Sequence, residues 1–169
     1  MNRNSSARPK KAADSRAVMG RVRVSYPKIL SLLVPLDFSG KSRQALRYAL
    51  PIAQKFSSRI ALVHVIAEEK PRKEKIRPPS AEELKQERNA RERLSGMAEQ
   101  LLPPAVRGKL YVCRGQPAAE ILRIATEADV DMIIIATHGR TGLKRAWRGS
   151  TAEVIMRQAR CPVLSLRRA

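Results

Sequence analysis

Two places in the chain carry residues arranged for chemistry. The first is Asp37, a lone carboxylate that closes the apolar run Lys28 to Leu36, KILSLLVPL. The second is ATHGRTGLKRAWRGSTAE, Ala136 to Glu153, which follows Met132-Ile133-Ile134-Ile135 directly. Gly139 and Gly142 allow the backbone to turn and to approach a bound group closely. Gly149 and Ser150 stand at the start of a helix, where free N–H groups and the positive end of the dipole suit oxyanions. Ser150 and Thr151 add hydroxyl donors, and Arg140, Lys144, Arg145 and Arg148 add positive charge. Such a loop is suited to holding an anion.

The elements around these residues follow from hydrophobic period. Residues 28–36 read as a first buried strand. From Ser39, Ala45, Leu46, Ala49, Leu50, Ile52 and Ala53 recur at helical spacing, with a kink or local distortion expected at Pro51. Ile60 to Ile66 is a second strand. Residues 67–79 mix charges and prolines and form a connection. Ser80 opens a long helix with Glu83 completing a capping box. Its stripe is Leu84, Ala90, Leu94, Met97, Ala98 and Leu101, and Pro103-Pro104 stop it. Leu110 to Cys113 is strand three. Pro117 begins a helix that buries Ile121, Leu122, Ile124 and Ala125. Val130 to Ile135 is strand four, Ser150 to Arg157 a helix with a second capping box from Ser150 to Glu153, and Pro162 to Leu166 strand five. Apolar strands alternating with helices predict a single α/β domain: a five-stranded, mainly parallel sheet with helices on both faces.

In such sheets ligands bind beyond the carboxyl ends of strands, where the strand order reverses. If strands one and four are neighbours there, Asp37 faces the glycine loop across a crevice. A carboxylate cannot favour a phosphate, but it accepts hydrogen bonds from a ribose hydroxyl or an adenine amino group. An acceptor at one end and donors at the other fit a nucleotide. Asp37 alone fits an ordinary helix-start residue, and the loop alone fits a surface connection; their joint placement at two strand ends is the stronger signal.

Composition narrows the field. The 169 residues, 43% of them hydrophobic, suffice for one packed domain. Aromatics at 4% argue against a base-stacking nucleic-acid platform. The formal charge of +19 attracts polyanions without choosing among them. Residues 1–28 hold eight bases against Asp14 alone, and residues 1–27 read as a basic, disordered tail or an anion-seeking arm. Cys113 and Cys161 form no CxxC pair and read as buried thiols in a reducing cytosol. His64 reads as a hydrogen-bonded core residue. His138 fits a turn as well as it fits a phosphate or metal contact, and the two histidines lack zinc spacing. Trp147 is expected to pack on a neighbouring surface. No stretch reaches the ~20 apolar residues of a membrane span. The P-loop pattern is absent, so any hydrolysis of a nucleotide is expected to be slow.

The segments VPLDFS (34–39), ATHGRTG (136–142), GSTAE (149–153) and CPVLSL (161–166) together resemble the universal stress protein family. The resemblance spans about residues 28–167 in order and spacing, so that residues 28–169 are expected to form the domain. The family's motif, G-x2-G-x9-G-[S/T], is matched at Gly139 and at Gly149-Ser150, with Ala136 in place of its first glycine. The resemblance implies a Rossmann-type fold of the adenine-nucleotide α-hydrolase kind. It implies ATP as ligand, with or without Mg2+. Asp37 would hold the ribose or adenine end beside Pro35 and Leu36. Ile60 and Ala61 would line the adenine pocket, and Ile135 and Ala136 would pass under the sugar. Gly139, Gly149, Ser150, Thr151 and Ala152 would cradle the phosphates. The same resemblance implies a homodimer joined through the last strand and a cytoplasmic signalling module in place of a true enzyme. The alternatives are a nucleotide-independent protein binding nucleic acid through its basic tail, or a protein partner, and a slow ATP hydrolase.

Overall fold

The computed structural model describes residues 28–68, 78–137 and 151–166. Five strands alternate with four helices: β1 (Ser31–Pro35), α1 (Gly40–Phe56), β2 (Arg59–Ala67), α2 (Ala81–Leu101), β3 (Arg107–Gly115), α3 (Pro117–Glu127), β4 (Met132–Ala136), α4 (Thr151–Gln158) and β5 (Val163–Leu166). A 3-10 turn, Pro104–Val106, joins α2 to β3. The strands are all parallel and lie in the order β3-β2-β1-β4-β5. This is the expected single-domain Rossmann-type sheet, with its order reversing between β1 and β4.

Strand alternation divides the core in two. Leu32, Val34, Leu36, Ile60, Leu62 and Ile134 face one way, under Ala45, Leu46, Ala49 and Ala53 of α1 and Leu94 and Ala98 of α2. Leu33, Val63, Ile133 and Ile135 face the other way, under Ile121, Ile124 and Ala125 of α3 and Ala152 and Ile155 of α4. Both faces of the central strands are therefore apolar, which explains their unbroken hydrophobic runs. Truncating one of the fully covered leucines, such as Leu32, to alanine would cost about 2–5 kcal/mol.

Several boundaries differ from expectation for local reasons. The β4 ladder starts at Met132, because the Val130 N–H turns back to the Ala125 carbonyl and Asp131 caps the neighbouring chain. There Asp131 Oδ2 accepts from the Leu30 and Ser31 N–H groups at 2.8 and 2.9 Å, which ties the entry to β1 across the sheet. Strand β3 is longer than expected, Arg107–Gly115. As the last strand of the sheet it is only half-buried along most of its length, so Arg107, Lys109 and Arg114 interrupt its apolar pattern. Gly108 allows β3 to approach β2, since a Cβ there would lie 2.8 Å from the Ile60 backbone. Helix α1 runs through Pro51, whose ring sits on the exposed side. In α2 the capping box of Ser80 and Glu83 forms as expected, but Leu84 is exposed and does not belong to the buried stripe. Leu122 in α3 is half-buried. The second expected capping box involves Ser150, outside the described residues.

Candidate functional site

The site is built where β1 and β4 end side by side. Their register pairs Leu32 with Met132 and Leu33 with Ile133. Continued by two and three residues, it sets Pro35 level with Ile135 and Leu36 level with Ala136. Pro35 and Leu36 are buried, and the Leu36 N–H still bonds to the Val63 carbonyl at 2.8 Å. Asp37 is the first exposed residue beyond the sheet. Its Oδ1 accepts the Ser39 N–H at 2.9 Å, which fixes the carboxylate at the mouth of the crevice. Ser39 caps α1, its Oγ accepting from the Ser42 N–H at 3.2 Å.

Between them Phe38 adopts φ +64°, the left-handed region that a side-chain-bearing residue occupies at a cost of about 1–2 kcal/mol. Two ring contacts, a bond to the preceding turn and a 3.4 Å bond from Arg43 Nη2 to the Phe38 carbonyl hold it there. The Phe38 ring lies 4.2 Å from the His64 ring, and the Arg93 guanidinium sits 4.2 Å over its centroid. His64 Nδ1 is 2.7 Å from the Leu36 carbonyl, so that nitrogen carries a proton and donates. His64 is the hydrogen-bonded residue expected from sequence, half-buried rather than fully enclosed. Phe38 lies in the VPLDFS segment, but no pattern in the sequence marked its meeting with Arg93, which joins the β1–α1 turn, β2 and α2.

On the β4 side, Ile135 is buried and Ala136 half-buried. The non-glycine residues with positive φ, among those described, are Phe38, Ser57 and Asp129. Ala136 is not one of them, so the alanine that replaces the motif's first glycine sits there without backbone strain. Thr137 donates to the Leu166 carbonyl through both its N–H (2.9 Å) and its Oγ1 (3.2 Å), binding the exit of β4 to β5. Thr151 begins α4 half-buried, while Ala152 is buried in the second core. Gly139, Gly149 and Ser150 lie outside the described residues, as do His138, Trp147 and the loop cations.

Ile60 is not brought to this crevice. It pairs with Leu32 near the start of both strands and is fully buried in the first core. Ala61 is likewise enclosed, in the second core. With about 3.3 Å of rise per residue, Ile60 lies more than 10 Å below the strand ends. The β2 residue at the height of the crevice follows from the pair Pro35–Val63. Two residues further on, Val65 stands level with Asp37, half-buried. Chain direction was the signal that distinguishes the two ends of the run 60–66.

Neither thiol belongs to the site. Cys113 and Cys161 are half-buried, more open than expected. Burial pushes the Cys113 thiol up against the opposing pull of Arg123, whose guanidinium lies 3.7 Å from Sγ. Burial pushes Cys161 up as well. Among the described residues no three His, Cys, Asp or Glu side chains gather as metal ligands, and no helix is long and apolar enough to cross a membrane.

The universal stress protein family profile matches residues 29–167. The chain belongs to the universal stress protein family. Universal stress protein MJ0531 of Methanocaldococcus jannaschii is 31% identical over 155 residues, covering 85% of this chain and 83% of the relative. The solved structure of protein MJ0577 from the same organism superposes with a TM-score of 0.65 at 28% identity, covering 85% of this chain and 99% of that one. A universal stress protein solved in complex with cAMP shares the fold, with a TM-score of 0.62 at 16% identity over 83% of this chain and 98% of its own. Membership in the family accords with the parallel five-stranded fold.

Proposed function

We propose that the crevice between the carboxyl ends of β1 and β4 binds ATP, and that the protein acts as an ATP-responsive stress or signalling module. The observation that carries this is the Asp37 carboxylate, fixed by the Ser39 N–H at the mouth of the switch point and level with the start of the glycine loop. It would accept from the ribose or the adenine amino group. Pro35 and Leu36 would form the floor on the β1 side, with Ile135 and Ala136 beside them. Val65 takes the adenine-wall role first assigned to Ile60. Gly139, Gly149, Ser150 and Thr151 would turn N–H and hydroxyl donors toward the phosphates. Ala152 would contribute its N–H alone, because its methyl is spent in the core. Mg2+ would be held by the phosphates themselves. A protein with this fold is solved in complex with cAMP, which supports an adenine nucleotide as the class of ligand.

Binding, not rapid turnover, is the proposed role, since the chain lacks the P-loop lysine that accelerates phosphoryl transfer. A homodimer through β5 and a cytoplasmic location complete the proposal. β5 ends the sheet with its side chains only half covered, which supports pairing with a second copy there. Mass spectrometry of small molecules released from purified protein, followed by calorimetry with ATP, tests the ligand. Release of ATP or ADP and saturable binding are expected; a purified protein that carries none and binds none overturns the proposal.

A further inference from the structure

Phe38 is a side-chain-bearing residue in a left-handed conformation, one position after the proposed ligand-contacting carboxylate. A residue so placed relaxes unless its surroundings hold it. From α1, Arg43 Nη2 donates to the Phe38 carbonyl at 3.4 Å, and the contacts on the ring come from two other elements. From β2, His64 stacks on the ring at 4.2 Å with a 34° tilt and donates Nδ1–H to the Leu36 carbonyl at 2.7 Å. From α2, Arg93 places its guanidinium over the same ring at 4.2 Å. The positive charge meets the electron-rich face of the ring, the favourable sense of that contact. The two contacts on the Phe38 ring and the bond to Leu36 bracket Asp37 on both sides. Ser39, which donates to the Asp37 carboxylate, is the next residue and also caps α1. If Phe38 left its conformation, the Ser39 N–H and the Asp37 Oδ1 would separate, and the carboxylate would lose its fixed direction.

We infer that His64 and Arg93 are positioning residues that act through Phe38 and the Leu36 carbonyl to aim Asp37 at the ligand. The inference rests on the ATP reading of the crevice and adds to it a control point on α2, outside the nucleotide motif. An imidazole with Nδ1 protonated donates whether neutral or charged, so the latch does not require the imidazolium.

Calorimetry on His64→Ala, Arg93→Ala and Arg93→Lys, each with and without Asp37→Ala, tests this with ATP and with inorganic triphosphate as probes. Arg93 is exposed, so its variants should keep the fold, as a thermal melt will show. Arg93→Ala should weaken ATP about two- to five-fold, the reach of an exposed cation–π contact, and Arg93→Lys should retain most of the affinity. His64→Ala should weaken ATP about ten-fold, the loss of one good hydrogen bond. Triphosphate, which offers nothing to Asp37, should change by less than about two-fold, and both effects should vanish in the Asp37→Ala background. Equal losses for triphosphate, or losses that persist undiminished with Asp37→Ala, would overturn the inference while leaving the ATP reading intact. Amide hydrogen exchange at Ser39 supplies an arm that needs no ligand. Faster exchange in His64→Ala and Arg93→Ala is expected, and unchanged exchange in both overturns the latch. If the unaltered protein binds no nucleotide, the ATP reading falls by itself and the exchange arm alone decides whether these residues hold the turn.

Discussion

Replacing Asp37 separates the base-and-ribose end of the site from the phosphate end. Asp37→Ala removes the acceptor proposed for the ligand and, within the turn, the 2.9 Å bond from the Ser39 N–H. The second is exposed and should cost the fold at most about 1 kcal/mol, because water can take its place. The first is a hydrogen bond to a charged group, worth about 1.5–3 kcal/mol, or roughly ten- to hundred-fold in ATP affinity. One term opposes it. Removing a negative charge favours the phosphates by about 0.4 kcal/mol per unit charge at roughly 10 Å in water, and salt screens that further. Adenosine carries no such term, so its loss should be at least as large as that of ATP. Asp37→Asn provides the internal control, since its amide oxygen can still accept from Ser39 and from a hydroxyl. It should lose only about three- to ten-fold, consistent with a neutral in place of a charged acceptor. Calorimetry at fixed salt reads all three proteins. Equal ATP affinity in Asp37→Ala and the unaltered protein would take Asp37 out of the site and leave the glycine loop to act alone.

Ala136→Gly should change ATP affinity by less than about three-fold, because the alanine already sits without positive φ; a ten-fold gain in a binding titration would show that its methyl obstructs the ligand. Removing residues 1–27 takes away seven bases and Asp14, a net +6, and should abolish most nucleic-acid retention at low salt in a gel-shift while preserving the thermal shift with ATP; loss of that shift would place the tail in the ligand site. Asp131→Ala strands the Leu30 and Ser31 N–H groups and should lower stability in urea by about 1.5–3 kcal/mol, with Asp131→Asn recovering part of the loss; no change would mean that water serves those donors equally well. Because burial raises both thiols, less thiolate forms at a given pH than in free cysteine; iodoacetamide should label Cys113 and Cys161 in the folded protein more slowly than free cysteine at neutral pH, with the gap closing as pH rises, and labelling at the free rate would contradict it.

The order of elements was legible because the sheet is parallel and covered on both faces: runs such as Met132 to Ile135 have no polar face to confuse with a surface strand. The chemistry of Asp37 and of the glycine-rich, cationic exit marked the ends of β1 and β4, but their adjacency stayed a condition that the strand order meets. Edge strand β3 was legible only at its centre, because half-burial tolerates Arg107, Lys109 and Arg114 where a central strand would not. Ile60 shows a different limit. Hydrophobicity is the same at both ends of 60–66, and only the direction of a parallel strand tells that the ligand end is the carboxyl end, which points to Val65. The turn at Phe38 was beyond reach for a further reason. A left-handed phenylalanine is disfavoured locally, so no local preference announces it; the contacts on its ring come from His64, twenty-six positions along, and from Arg93 on α2. The nucleotide motif can thus be read along the chain, whereas the direction in which Asp37 points is a property of three elements packed together.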